Sequence, residues 1–363
     1  MSTRPPAVDP ALLALDEPHS LGEFLAGRGA QSHLVSSRAL REALPLHRAG
    51  AFTWSATLDD VPATARTLHV DSPDAEAALL REAADRFPRL RVLGLRHHLA
   101  PMLATDRHPL RDVPATFRVE ALRRYVVACP ARSGSTLLGQ LLTQAGIGKP
   151  REHLRHLLAA ALRAPGVDRT QVWRQVAWRA QSDGVFGSKL VAEFLSLAAG
   201  DAGPGALLPA LAPAGVRVVA LRRPLVETVV SRVVARHADQ WHVRGAMSLD
   251  ERKRFAAAGY DFDALRAVLE RNRAENRALE AALTGIEPAR LLVVDYAELD
   301  AQPLRTLERV AAFLEIAPDL DGLRDDKLPI KISAQVDTHR RLAERFLEDL
   351  AARGDALSAD ATS

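Results

Sequence analysis

Six short β-type runs, alternating with segments of helical periodicity, restrict this chain to an α/β fold with a largely parallel sheet. The runs are TLHVD (67–71), RVLGL (91–95), RYVVAC (124–129), VFGSKLV (185–191), VRVVAL (216–221) and LLVVD (291–295). Ser72-Pro73 reads as an N-cap and first-turn pair ahead of AEAALLREAADRF, so TLHVD, that helix and RVLGL form a βαβ unit. Gly146 marks the end of the helix that follows Thr136, and long polar, Ala-rich helices are expected over 151–181 and 250–284. TDRHPLRDVPATFR (105–118) is rich in proline, charge and turn formers and predicts a boundary. The expected organisation is an N-terminal α/β region over 1–116, a larger domain over 117–350 and a disordered tail over 351–363. GDAGPGALLPALAPAG (200–215) reads as a flexible connection.

Composition narrows the partners. The chain has 363 residues, 47% hydrophobic and 26% charged, which is ordinary for a globular protein long enough for two domains. Forty-eight Lys and Arg against 45 Asp and Glu leave a net charge of +3, which gives no reason to expect a nucleic-acid partner. The single cysteine, Cys129, has no partner in the chain for a disulfide and ends an apolar run, so it reads as a small buried side chain. The N-terminus lacks a basic region followed by an apolar stretch, and no run approaches the roughly 18 apolar residues of a membrane span. The expectation is a cytoplasmic protein.

The most informative local stretch is RYVVACPARSGSTLLGQLLTQAG, residues 124–146, in which a strand enters a polar loop that turns at once into a helix. That order aims the helix's unbonded N–H groups and positive dipole end at whatever sits in the loop. Gly134 allows close backbone approach, Ser133, Ser135 and Thr136 offer hydroxyls, and Arg132 adds a forked cation. A phosphate or another tetrahedral oxyanion suits such a loop, although taken alone Ser-Gly-Ser-Thr after a strand reads first as a helix cap. The loop departs from GxxxxGK[ST], lacking the first glycine and carrying arginine at a different place from the lysine. A second segment, VRVVALRRPLVETVVSRVVARHADQWH (216–242), also follows a strand: Arg222-Arg223 end it, Pro224 opens a helix, and Ser231 comes eight residues after Arg223.

Together the two segments resemble PAPS-dependent sulfotransferases, where PAPS is 3′-phosphoadenosine-5′-phosphosulfate. PARSGSTLLGQLL is similar to the 5′-phosphosulfate loop, and Arg223 with Ser231 has the spacing of the 3′-phosphate site. Within that superfamily the chain most resembles the bacterial trehalose 2-sulfotransferase family. The matching stretches are RYVVACPARSGSTLLGQLLTQAGIGKPREHL, VFGSKLV, VVALRRPLVETVVSRVVARHADQWH and LLVVDYAELDAQPLRTLERVAAFLEI, within residues 122–345. The resemblance implies a P-loop-type parallel sheet flanked by helices, with a smaller N-terminal α/β region added. It implies PAPS as co-substrate without a metal, and a small-molecule or glycan acceptor; a homodimer stays open.

The resemblance also distributes roles. Arg132, Ser133, Gly134, Ser135 and Thr136 would hold the phosphosulfate, with Arg132 stabilising the leaving group, while Arg223 and Ser231 would hold the 3′-phosphate. Glu152, in the Gly-x-Pro-x-Glu pattern of GKPRE, would be the general base; without the resemblance its position reads first as the opening turn of the helix REHLRHLLAAALR, where a negative charge favours the dipole. Lys189 in FGSKL takes a supporting catalytic role, and Trp241 and His242 would border a pocket or simply pack. His97, His98, His153 and His156 read as surface or capping residues. Ala192-Glu193-Phe194 stands where the family has a tryptophan-containing stretch, so the acceptor is not assigned. Two other classes remain: a P-loop kinase using ATP, and a nucleotide-binding protein without catalysis. Residues before about 115 have no counterpart in the resemblance and read either as an accessory region contributing to acceptor choice or as a structural or oligomerisation extension.

Overall fold

The computed structural model describes residues 31–43, 53–72, 75–101, 113–164, 166–200, 203–213, 215–237, 259–321, 323 and 333–354. Cα packing divides the chain into two compact units. The first takes Met1–Ala121, Glu152–Ala180 and Phe194–Leu211, and the second takes Leu122–Arg151, Gln181–Glu193 and Ala212–Ser363. The N-terminal region is thus joined in its unit by two later segments.

In the first unit, β1 (Ser32–Val35), β2 (Thr53–Ser55), β3 (Thr67–Val70) and β4 (Arg91–Gly94) form a parallel sheet in the order β2-β1-β3-β4. Helix α1 (Arg38–Ala43) follows β1, and α2 (Glu76–Arg86) connects β3 to β4 as the expected βαβ unit. Its start falls later than the Ser72-Pro73 signal: Ser72 Oγ accepts from the Ala75 N–H at 3.2 Å, and the helix begins at Glu76. Val35, Leu58, Leu68, Val70 and Ala83 form the core, with Leu79, Leu80 and Phe87 packed on it. A π-helical turn, Leu95–Leu99, leaves β4. Against it pack α4 (His156–Arg163) and α5 (Arg169–Ala180), the helices within the range 151–181.

Beneath that turn lies a buried ionic cluster. Glu76, fully buried, accepts from the backbone N–H groups of Arg96 and His97 and bonds His97 Nδ1 at 2.9 Å. Arg96 Nε donates to Asp71 Oδ1 at 3.1 Å. Burial raises the Asp71 carboxyl to about 6, more than the Arg96 guanidinium lowers it. His98 Nδ1 accepts from the Gly94 N–H, which is the capping role expected of it, whereas His97 and His153 are buried and not surface residues.

Helix α6 (Ala192–Ala199) spans the division, and α7 (Pro204–Leu211) occupies much of the segment expected to be a flexible connection. Pro204 opens α7, and burial of Leu207, Leu208 and Leu211 outweighs the helix-breaking prolines and glycines around them.

The second unit is built on β5 (Arg123–Cys129), β6 (Val185–Val191), β7 (Arg217–Arg222) and β8 (Leu291–Asp295), all parallel, in the order β6-β5-β7-β8. The register pairs Val127 with Lys189, Ala128 with Ala220 and Arg222 with Asp295. Every residue of β6 is buried, and Cys129 is fully buried at the end of β5. The helices are α3 (Ser135–Gln144), α8 (Leu225–His237), α9 (Phe262–Leu283), α10 (Tyr296–Ala301), α11 (Pro303–Leu314) and α12 (Ser333–Ala352). Helix α3 ends just before Gly146, whose φ is +71°. Helices α8, α9 and α12 pack through Val226, Val229, Val230, Leu265, Leu269, Phe346 and Leu350. Among the described residues no helix is long and apolar enough to cross a membrane.

From β5 the chain goes to β6 on one side, and from β7 to β8 on the other. The segments leaving β5 and β7 therefore diverge, which is where open parallel sheets bind ligands.

Candidate active site at the ends of the parallel strands

The loop after β5 runs from Pro130 to Gly134 and delivers the chain into α3. Gly134 is the N-terminal cap residue, with φ +88° and ψ 5°. The first intrahelical bond is Leu138 N–H to Gly134 C=O at 3.1 Å, so the N–H groups of Ser135, Thr136 and Leu137 have no carbonyl of their own helix to bond. Ser133, fully buried, donates from Oγ to the Pro130 carbonyl at 2.9 Å and thus closes the loop on itself. Arg132 has φ +66°, a conformation that costs a non-glycine residue about 1–2 kcal/mol. Such a residue persists where its surroundings hold it.

The surroundings are helix α8 and the end of β7. Arg132 Nε donates to Ser231 Oγ at 3.1 Å, and Arg223 Nη1 donates to the Arg132 carbonyl at 3.0 Å. Arg223 also pairs with Glu227 Oε2 at 3.0 Å, and its guanidinium lies 4.0 Å from the centre of the Tyr296 ring. That ring lies against Gly134: a Cβ there would stand 2.5 Å from Tyr296 Cδ2. Arg222, the other member of the arginine pair, turns away to Glu280 on α9, with bonds of 2.8 and 3.1 Å. Arg132, Gly134, Arg223, Ser231 and Tyr296 thus form one connected group supplied by the segments that follow β5, β7 and β8, Ser231 from α8. The two cations, a hydroxyl and helix N–H groups suit an anion.

Lys189 is buried on β6, and its N–H donates to the Arg151 carbonyl at 2.8 Å. Arg151 forms a parallel bridge with Ser188, which lays Pro150-Arg151 along the edge of β6. Gly139 of α3 lies under this segment: a Cβ there would meet the Pro150 carbonyl at 3.2 Å and Lys189 Cδ at 3.8 Å. Glu152 is half-buried and begins a segment of the first unit. It does not lie in the first turn of a helix, since α4 starts at His156. Trp241 and His242 lie outside the described residues.

Two residues of this neighbourhood were not among the expected site residues, although Tyr296 opens the Tyr-x-x-Leu of the matching stretch LLVVDYAEL. Tyr296 follows β8 directly, and its position after a strand of the same sheet was a further hint. His339 on α12 is pushed down to about 4, by burial first and then by the charges of Arg223 and Arg132.

Comparison with known proteins follows the same part of the chain. The family described as Stf0 sulphotransferase matches residues 124–349. Among solved structures, the sulfotransferase domain from the curacin biosynthetic pathway is 16% identical, with a TM-score of 0.36 over 58% of this chain and 81% of its own. The sulfotransferase from Alicyclobacillus acidocaldarius is 13% identical, with a TM-score of 0.35 over 65% of this chain and 98% of its own. Sulfotransferase STF1 from Mycobacterium tuberculosis H37Rv is 17% identical, with a TM-score of 0.33 over 75% and 82%. No curated protein matches the chain.

Proposed function

Since the chain belongs to the Stf0 sulphotransferase family, we propose that it transfers a sulfuryl group from PAPS to a hydroxyl of a carbohydrate, glycolipid or other small-molecule acceptor and releases PAP. The observation that carries this reading is the grouping of Arg132, Arg223 and Ser231 beside the N-terminus of α3. PAPS offers two anionic ends, a 5′-phosphosulfate and a 3′-phosphate. The loop Arg132-Ser133-Gly134-Ser135-Thr136 suits the first, and Arg223 with Ser231 suits the second.

In the reaction the acceptor oxygen attacks sulfur in line. The new O–S bond forms as the bond from sulfur to the bridging oxygen breaks, and that electron pair stays on the 5′-phosphate of PAP. Charge grows on the bridging oxygen, where Arg132 and the N–H groups of Ser135 and Thr136 would stabilise it; a fixed array of donors needs no reorganisation at that moment. Lys189 serves beside them. Glu152 would accept the proton of the acceptor hydroxyl, a role resting on the Gly-x-Pro-x-Glu pattern.

The direct test is incubation of the full chain with PAPS and a bacterial metabolite extract, read by mass spectrometry. Gain of a sulfuryl group by a hydroxyl compound, together with PAP release, is expected. A protein whose melting temperature and calorimetric signal ignore PAP would refute the reading.

A further inference from the structure

Helix α12 packs on α8 through Leu342, Ala343, Phe346 and Leu350. His339 precedes Leu342 by three residues and Phe346 by seven, so it continues the same stripe toward the start of α12. Asn272 bonds Thr228 and Arg232, Glu275 bonds Arg232 and Glu280 bonds Arg222, so α9 runs antiparallel to α8. Phe262, at the start of α9, meets Phe346 at 5.6 Å between ring centres, which puts Phe346 toward the far end of α8 from Arg223. The charges of Arg223 and Arg132 act on the His339 ring, so His339 lies toward the near end of α8. Its Nε2 is shut off from solvent and has no hydrogen-bond partner among the described residues.

Among the described residues, the nearby charges are these. Arg223 of α8 and Arg132 of the loop act on the ring, and Glu227 of α8 is engaged by Arg223. On α9, Glu275 and Glu280 are engaged by Arg232 and Arg222. Arg340 and Arg341 follow on its own helix, and the Tyr296 ring lies under Arg223. A buried donor-acceptor atom beside two cations, with no protein group bonded to it, is costly unless a ligand uses it.

Resting on the reading of Arg223 and Ser231 as the 3′-phosphate site, we propose that His339 is a further ligand of that phosphate and takes up a proton when the phosphate binds. Without ligand the ring is neutral, because burial and the two arginines hold the proton off. A phosphate dianion between the guanidiniums cancels that positive potential and gives Nε2 an acceptor. The proton comes from solvent, and the only bond formed is N–H on the imidazole. A nucleotide without a 3′-phosphate neither gains the contact nor drives the protonation. His339 would thus help to distinguish PAPS from adenosine 5′-phosphosulfate.

The test is calorimetric titration of PAP into the full chain at about pH 6, in two buffers of different ionisation enthalpy, for the wild type and His339→Gln. The phosphate's own second ionisation, near pH ~6, contributes equally to both proteins and cancels in their difference. The wild type is expected to take up close to one more proton per PAP than the variant. Its affinity should tighten by up to tenfold more for each unit fall in pH. Equal proton counts in two proteins that both bind PAP would overturn the role of His339. Failure of the wild type to bind PAP would instead overturn the phosphate site beneath it. Should the variant not fold, the ring-carbon resonances of His339 in the wild type give the same answer. They should move from the neutral to the protonated position on adding PAP, and resonances that stay neutral in the saturated complex would refute the proposal.

Discussion

Arg132 donates to Ser231, 99 residues later in the chain, while its own carbonyl receives Arg223, 91 residues later. The loop after β5 is therefore fastened to α8 and the end of β7 at both its side chain and its backbone. A loop held this way pays little further ordering entropy when an anion arrives. It also explains why Arg132 keeps a positive φ: releasing the strain would break both contacts.

Replacing Ser231 by Ala should weaken PAP by about 0.5–1.5 kcal/mol, the worth of a hydrogen bond, and adenosine 5′-phosphosulfate by less, because Arg132 Nε loses its acceptor. Replacing Arg223 by Ala should cost PAP about 1.5–3 kcal/mol, as expected for a charged contact. It should also cost adenosine 5′-phosphosulfate a smaller amount, because the Arg132 carbonyl loses its donor. Calorimetry with both nucleotides separates the two effects; variants that bind PAP like the wild type would remove these residues from the phosphate site.

Gly134→Ala tests the stack of loop, ring and guanidinium. The new Cβ would overlap Tyr296 Cδ2 at 2.5 Å and Cε2 at 2.9 Å, and the ring is held from its face by Arg223 at 4.0 Å. Overpacking of this kind costs about 1–3 kcal/mol, and the φ of +88° adds about 1–2 kcal/mol for a residue with a Cβ. A lowered melting temperature and at least tenfold weaker PAP binding are expected. Adding Tyr296→Leu should recover part of the stability, because the overlap is relieved while the backbone strain stays. A single variant as stable as the wild type would show that the ring yields freely.

Much of the fold was legible because six of the eight strands among the described residues are apolar runs bounded by turns or helices. The two that were missed, SHLV and TWS, are short and half polar. Their polar atoms satisfy each other only after pairing, as when His33 bonds Thr53 at 2.7 Å and Ser55 at 2.8 Å. The anion loop and Arg223 could be read from their place after strands, but the choice between Arg222 and Arg223 could not. It depends on Glu280, on a helix far along the chain, which engages only the first. Tyr296 and His339 reach the loop through β8 and α12; the Tyr-x-x-Leu pattern marks Tyr296 without giving it a role, and no pattern marks His339. The division of the chain was also hidden, since later segments return to the N-terminal unit through packing on Leu95–Leu99.

Glu76→Ala addresses the first unit alone. The carboxylate satisfies the buried N–H groups of Arg96 and His97 at the start of the π-helical turn. Each donor left buried and unpaired costs about 1–3 kcal/mol, so the variant should lose at least that much stability. Glu76→Gln keeps an oxygen acceptor and should lose less. Urea unfolding followed by tryptophan fluorescence gives the order; an alanine variant as stable as the wild type would mean that the turn rearranges to find other acceptors.

Glu152→Gln decides the assignment of the base. The turn before it is fixed: Pro150 lies on Gly139, Arg151 bridges to Ser188, and Lys189 N–H holds the Arg151 carbonyl at 2.8 Å. The competing role, a negative charge favouring a helix dipole, loses its basis because residues 151–155 are not helical and α4 begins at His156. Glutamine preserves shape and hydrogen bonding but cannot accept the acceptor's proton. As general base, loss of the carboxylate should lower kcat by about 10²–10⁴-fold, while PAP affinity and melting temperature change little. The pH profile supplies the second readout: the acidic limb set by a catalytic carboxylate should vanish from the residual activity. A variant that sulfates its acceptor within a few-fold of the wild-type rate, with the acidic limb intact, would take the role from Glu152, and His153 would be the next group to replace.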